Sequence, residues 1–391
     1  MTKDFAHGLV IGKFYPPHPG HHFLVQTAAD TCERVTVVAM AADVESIPLA
    51  GRVAWLREAF AGAPHTAVVG VVDNLPVDYD DADVWAGHVA LMRDGVAAGE
   101  HHATPIDAVF TSEPYGAELA RRFDAADVRL DVSRATFAVS GTKVRADPVE
   151  YWQLLAPPVR AWFTRRVVVL GAESSGTTTL SIDLADALRA RGGAHAMTGW
   201  VGEYGRELTL AKLAVIRAKA RLRATDDGMH ERGMHERGMD ESRKPEPTVF
   251  DIEWTDADFL AVAVRQTAAE DRAARAGGPV LVCDTDALAT TIWQERYMGA
   301  TTLEVAAAAA AMPPRALYIL TSDVGVPFDD DGLRDGEHLR AWMTGRFHEL
   351  LDASDVPTVE VGGDRATRLR SALEAVDEVA ARGWDLGEPL G

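Results

Sequence analysis

Cysteine is nearly absent: the 391-residue chain holds two, Cys32 and Cys283. Two thiols cannot staple a secreted scaffold, and they read as free thiols of a reducing compartment, with Cys32 placed in a helix. Long apolar runs are missing too. No stretch approaches the roughly 18–20 residues that a membrane helix needs, and Val305–Met312 is only alanine-rich helix. The opening MTKDFAHGLVIGKF lacks the charged start and apolar run of a secretory signal. Basic residues are in deficit, 39 Lys and Arg against 59 Asp and Glu, for a net charge of −20. That balance argues against broad contact with a nucleic-acid backbone and leaves room only for a local basic cleft. The expectation is a soluble cytoplasmic chain with neither nucleic-acid nor membrane partners.

What is present is globular: 47% hydrophobic and 25% charged residues. At ~150 residues per domain the length allows two or three domains. Short apolar runs alternate with helix-like segments, as in a parallel α/β protein. Gly8–Ile11, Arg34–Ala41, Ala67–Val72 and Ala108–Phe110 read as one series of strands, with a helix from about His21 to Glu33. Arg166–Leu170, Val280–Cys283, Ala316–Leu320 and Thr358–Val361 read as a second. Each series opens with a strand running into a Gly-containing turn and a helix, so two parallel-sheet domains in tandem are expected. Pro157–Pro158 cannot sit inside a helix, and the cut is placed at about 164, giving domains 1–164 and 165–391. A low-complexity insertion at about 226–245 carries the repeat GMHER GMHER GMDES. Its five-residue period fits neither helix nor strand, so a surface loop is expected rather than a metal tract built on His230 and His235.

Between the first strand and helix lies GKFYPPHPGHHF, with His18-Pro19-Gly20-His21 at its centre. Unpaired N–H groups at a helix start favour an anion. Two imidazoles beside them can donate hydrogen bonds as charge builds on a leaving pyrophosphate. Lys13 stands just upstream, and no carboxylate or cysteine nearby completes a metal-ligand set. Near the end of the domain, Val139-Ser140-Gly141-Thr142-Lys143-Val144-Arg145 adds hydroxyls and a guanidinium fork suited to a triphosphate.

The second domain opens on Gly171-Ala172-Glu173-Ser174-Ser175-Gly176-Thr177-Thr178-Thr179. The spacing fits the P-loop G-x-x-x-x-G-K-[ST], whose backbone N–H groups wrap a phosphate. Thr177 stands where the lysine belongs, and Thr178 at the hydroxyl that faces Mg²⁺. Leu281–Asp286 is an apolar strand ending in carboxylates, as in a Mg²⁺ site. Asp331–Asp335 and Arg340 supply a glycine-containing, Arg334-bearing stretch suited to a lid over ATP.

The first ~160 residues resemble H-x-G-H nucleotidyltransferases, with Val139–Arg145 similar to their I-S-x-T-x-x-R element and Val139 replacing Ile. FTSEPYG at Phe110–Gly116 and the opening GKFYPPHPGHHFLV narrow the resemblance to the adenylyltransferase domain of NadR-like bifunctional proteins. GAESSGTTTL, Glu203–Glu207 (EYGRE), Asp284–Asp286 and DGLRD resemble their ribosylnicotinamide kinase domain. The fold implied is a Rossmann-like nucleotidyltransferase followed by a P-loop kinase. The activity implied is ATP-dependent phosphorylation of nicotinamide riboside to NMN, then adenylyl transfer from ATP to NMN with Mg²⁺.

By that resemblance His18, His21, Gly20, Ser140, Thr142 and Arg145 contact ATP in the first domain, with Lys13 as a further phosphate contact. In the second, Gly171, Ser174, Ser175, Gly176, Thr177, Thr178, Thr179, Arg334 and Arg340 hold the nucleotide. Asp284 and Thr178 face Mg²⁺, Glu203 and Asp286 face the ribosyl hydroxyl, and Tyr297 stacks on nicotinamide. Trp85 is a stacking candidate that reads better as core. No helix-turn-helix is visible before residue 8, so a DNA-bound regulator is not expected. Two alternatives stay open: a P-loop domain kept as a nucleotide sensor or scaffold because Thr177 replaces lysine, and a kinase–adenylyltransferase for another substrate such as phosphopantetheine. A homo-oligomer is compatible with the sequence.

Overall fold

The computed structural model describes residues 3–78, 80–133, 135–230 and 245–390. The chain forms two compact units, Met1–Phe163 with Gly383–Gly391, and Thr164–Arg382.

The first unit alternates strand and helix: β1 (Phe5–Gly12), α1 (Pro19–Thr31), β2 (Cys32–Ala41), α2 (Leu49–Ala59), β3 (Thr66–Val72), α3 (Ala82–Ala98), β4 (Ala108–Thr111), α4 (Gly116–Phe123) and β5 (Ala126–Arg129). Two short helices, α5 (Gly141–Ala146) and α6 (Pro157–Phe163), complete it. The sheet is parallel in the order β3-β2-β1-β4-β5. Its central strands are apolar on both faces, because helices cover both. One face packs Val10, Val35 and Val37 under Val25 and Leu56; the other packs Leu9 and Val38 against Trp85 and Leu119. The chain winds outward from β1 through β2 to β3, then returns to β4 on the other side. That reversal opens a crevice at the carboxyl ends of β1 and β4, the usual ligand position in such sheets.

The second unit runs β6 (Arg165–Gly171), α7 (Thr177–Arg189), β7 (Gly199–Val201), α8 (Tyr204–His230), α9 (Asp256–Ala276), β8 (Val280–Asp284), α10 (Ala287–Met298), α11 (Leu303–Ala310), β9 (Leu317–Thr321), α12 (Arg340–Asp352), β10 (Thr358–Val361) and α13 (Arg365–Ala381). Its parallel sheet has the order β10-β9-β6-β8-β7. Val168 pairs with Cys283 on one side and Tyr318 on the other, so the turn after β6 lies between the ends of β8 and β9.

All eight strands expected from sequence are present, and both domains are parallel α/β. The differences are local. Cys32 opens β2 rather than sitting in a helix, because α1 passes into the strand with no intervening turn. Gly228–His230, expected in a loop, end the long helix α8, and the rest of the repeat, His235 included, lies outside the described residues. Residues from Gly383 onward join the first unit although expected in the second; the Trp384 indole N–H donates to the Phe163 carbonyl at 3.1 Å. No described helix is long and apolar enough to cross a membrane.

Candidate functional site

Each unit places a cavity at the carboxyl ends of its strands. In the first, β1 leads through Lys13–His18 into α1, which begins with Pro19 at its first position. The His18 and His21 rings stack with centroids 3.7 Å apart, and His21 rests on Phe14 at 4.8 Å. The second motif closes on this turn from far along the chain. Ser140 caps α5 by accepting from the Lys143 N–H, and the Arg145 guanidinium donates to the Tyr15 carbonyl at 2.8 Å. Lys13, His18, Gly20, His21, Ser140, Thr142 and Arg145 therefore share one cavity of about 330 Å³. Thr111, Ser112, Glu113 and Tyr115 of the FTSEPYG stretch line it as well.

Lys13 is already engaged: its amine donates to the Leu390 carbonyl and lies 3.5 Å from Glu45, while burial pushes its pKa down. Glu45, buried, also holds the buried Arg52. Trp85 lies in the core of α3 and does not line the cavity. Tyr15, Phe137 and Asp131 line the cavity without having been singled out: Tyr15 sits inside the GKFYPPHPGHHF motif as an aromatic with no phosphate chemistry, and Phe137 and Asp131 belong to no contiguous motif.

In the second unit β6 runs into the P-loop. Gly176 has φ +92°, a left-handed conformation that glycine adopts without strain, immediately before α7. Gly171, Ser174, Thr177 and Thr178 line the cavity. Ser175 instead braces the loop from inside: its hydroxyl donates to the Ala172 carbonyl and bonds Thr321 at 2.7 Å. Arg368 secures the same loop by donating to the carbonyls of Ser175, Ser322 and Gly363, at 2.7, 2.8 and 2.8 Å. Thr179 is exposed on the first turn of α7 and does not line the cavity.

Opposite the loop stand Asp284, at the end of β8, and Glu203. Burial raises Asp284 to about 6, although the hydroxyls of Thr178 and Thr177 donate to it. Burial, reinforced by the Asp284 charge, raises Glu203 to about 7, with Arg206 acting against the rise. Arg206 is ion-paired with Asp331. Arg334 approaches Ser174 Oγ at 3.5 Å, and the Asp329 N–H donates to that same oxygen at 2.8 Å, so the 329–334 stretch lies on the P-loop. The cations lining this cavity are Arg206 and Arg334. Its far end is aromatic: Tyr297 meets Trp254 at 5.4 Å, Phe259 at 6.1 Å and Trp293 at 6.4 Å. The Tyr297 hydroxyl donates to Asp335 at 3.0 Å.

Besides Ser175 and Thr179, two more expected contacts, Asp286 and Arg340, do not line this cavity. Asp286 is fully buried; one oxygen caps α10 through the Leu288 and Ala289 N–H groups, and the other accepts from Arg315 and Tyr318. Its lone pairs are spent on the fold, which leaves none for a ribosyl hydroxyl. Arg340 donates to the carbonyls of Val326 and Asp323, holding the loop rather than lining the cavity. Arg206, Trp254, Phe259 and Trp293 complete the site without having been named for it.

A model of the AAA domain family matches residues 166–368, a little over half of the chain. The chain belongs to the AAA domain family. The AAA domain match opens on β6 and ends on Arg368, so it takes in the P-loop, Glu203, Asp284 and the 329–334 stretch. Over 220 residues, 53% of this chain, the sequence is 27% identical to the trifunctional NAD biosynthesis/regulator protein NadR of Escherichia coli (strain K12). The corresponding NadR of Salmonella typhimurium is 26% identical over 220 residues. The chain spans about half the length of the curated relatives it matches. In fold the whole chain is NadR-like. A crystal structure of NadR protein in complex with NR superposes with a TM-score of 0.64 at 21% identity, covering 100% of this chain and 99% of the other. A NadR structure in complex with NAD and AMP-PNP gives the same score and identity, covering 97% and 98%.

Proposed function

We propose that the second unit phosphorylates nicotinamide riboside to NMN with ATP, and that the first joins NMN to the adenylyl group of ATP, giving NAD and pyrophosphate. The observation that carries this reading is the second cavity, where a P-loop, the Glu203 and Asp284 carboxylates and an aromatic cluster line one space. A nucleoside whose flat ring meets Trp254 and Tyr297 would direct its ribosyl hydroxyl toward Glu203. Glu203 takes the hydroxyl proton, the oxygen attacks the γ-phosphorus, and the bond to the ADP oxygen breaks. Asp284 and Thr178 are hard oxygen donors, as Mg²⁺ prefers. Mg²⁺ held there with the ATP phosphates would offset their negative charge. In the first cavity an NMN phosphate oxygen attacks the α-phosphorus of ATP, and pyrophosphate leaves. His18, His21, Ser140, Thr142 and Arg145 would donate hydrogen bonds to the phosphates. The NadR complexes with NR, NAD and AMP-PNP support this choice of ligands. Synthesis of NAD from small molecules, in a chain whose two cysteines are free and buried, suits the cytoplasm.

Thr177 favours a second reading, in which the P-loop binds nucleotide without transferring phosphate, since its hydroxyl donates to Asp284 where a lysine would add charge. Riboside phosphorylation by the full chain separates the two. Measurable NMN formation by the wild type supports the kinase; none, with activity appearing in Thr177→Lys, supports the sensor. NAD formation from NMN and ATP tests the first cavity, with nicotinate mononucleotide and phosphopantetheine as competing substrates.

A further inference from the structure

The segment after α13 returns to the first unit and lies along the rim of its cavity. Gly387 bonds two turns of the first unit: its N–H donates to Ser46 Oγ, before α2, at 2.8 Å, and its carbonyl accepts from the Tyr15 hydroxyl, before α1, at 2.9 Å. The same hydroxyl accepts from the Ser46 N–H, closing a small network. A Cβ on Gly387 would lie 2.0 Å from the Val44 carbonyl oxygen, so this approach is open only to glycine. Beyond it, the Glu388 carboxylate stands 3.9 Å from Arg145, Pro389 lines the cavity, and the Leu390 carbonyl accepts from Lys13. The segment thus presents oxygen atoms to Lys13 and Arg145, two of the cations assigned above to phosphate. Lysine and arginine side chains donate only, and a Lys13 amine turned to the Leu390 carbonyl and Glu45 keeps just one of its three N–H donors for a phosphate. Glu388 is mostly exposed and adds little; Gly387 and Leu390 make the stronger contacts.

We propose that Gly387–Leu390 is an internal strap that competes with the polyphosphate ligand for the rim of the first cavity, so that ligand binding and strap release are coupled. This rests on reading the first cavity as the NAD-forming site. When only the strap-free fraction accepts ligand, the apparent dissociation constant is the intrinsic one divided by that fraction. A strap docked about nine-tenths of the time weakens binding about tenfold.

The test is calorimetric titration of NAD into the full chain, into Gly387→Leu, and into a chain ending at Asp385, which keeps Trp384 and its bond to Phe163. NAD binding about tenfold tighter in both variants is expected. Unchanged or weaker binding in both overturns the strap and makes the segment part of the cavity wall. Hydrogen exchange in the wild type needs no variant: saturating NAD should accelerate exchange of the Gly387 amide, and equal protection with and without NAD overturns the proposal. Failure of every form, wild type included, to bind NAD overturns the reading of the cavity and the strap with it.

Discussion

The two phosphate turns solve one problem with opposite chemistry. The first gathers donors at its cavity, two stacked imidazoles, Lys13, Arg145 and the hydroxyls of Ser140 and Thr142, beside the carboxylates Glu113 and Asp131. The second offers a backbone loop and three carboxylates, Glu173, Glu203 and Asp284, the last two raised by burial, against the cations Arg206 and Arg334. A donor-rich cavity can stabilise a leaving pyrophosphate directly. On the proposed kinase reading an acid-rich cavity would call for a divalent cation beside the triphosphate, and Thr177 in place of lysine would deepen that need.

The contrast is broken most sharply at Glu203, the proposed general base. Glu203→Gln should lower riboside phosphorylation by about 10²–10⁴-fold while leaving NAD formation from NMN unchanged. A parallel loss in both reactions would mean that the carboxylate acts through the fold. His21→Ala should do the reverse, costing NAD formation about 10²–10³-fold with phosphorylation intact, as measured by pyrophosphate release. Asp286→Ala asks whether every acid of the second unit serves chemistry. It should cost about 3–5 kcal/mol in urea unfolding, since it strips a buried partner from Arg315, while each folded molecule still phosphorylates. The smallest effect belongs to the aromatic end. Trp254→Ala should raise the KM for riboside about tenfold at constant kcat, the scale of one lost stacking contact. A fall in kcat alone would place Trp254 outside the ring-binding region.

Six of the strands legible in the sequence are central ones, where burial leaves an unbroken apolar run; the edge strands β3 and β10 were legible as well, through their valine-rich pattern. The two that were not legible are short edges: β5 is Ala-Asp-Val-Arg and largely exposed, and β7 has three residues. The phosphate turns were legible because each is contiguous and its spacing carries the geometry. The aromatic end was not, since Trp254, Phe259, Trp293 and Tyr297 meet only after α9 and α10 pack together. Asp286 shows the opposite hazard. A strand-end carboxylate has the same sequence signature whether it faces a ligand or caps the next helix, and here the cap and Arg315 claim it.

Arg368 has a consequence for how this chain can be dissected. Its bond to the Ser175 carbonyl spans 193 residues, and the same guanidinium ties the exits of β9 and β10. A fragment stopped between α12 and α13 would carry the P-loop, Glu203, Asp284 and the 329–334 stretch, yet lack the clamp that fixes the loop's shape. Poor nucleotide binding by such a fragment would be an artefact of its endpoint, so an expression boundary for the second unit belongs beyond α13.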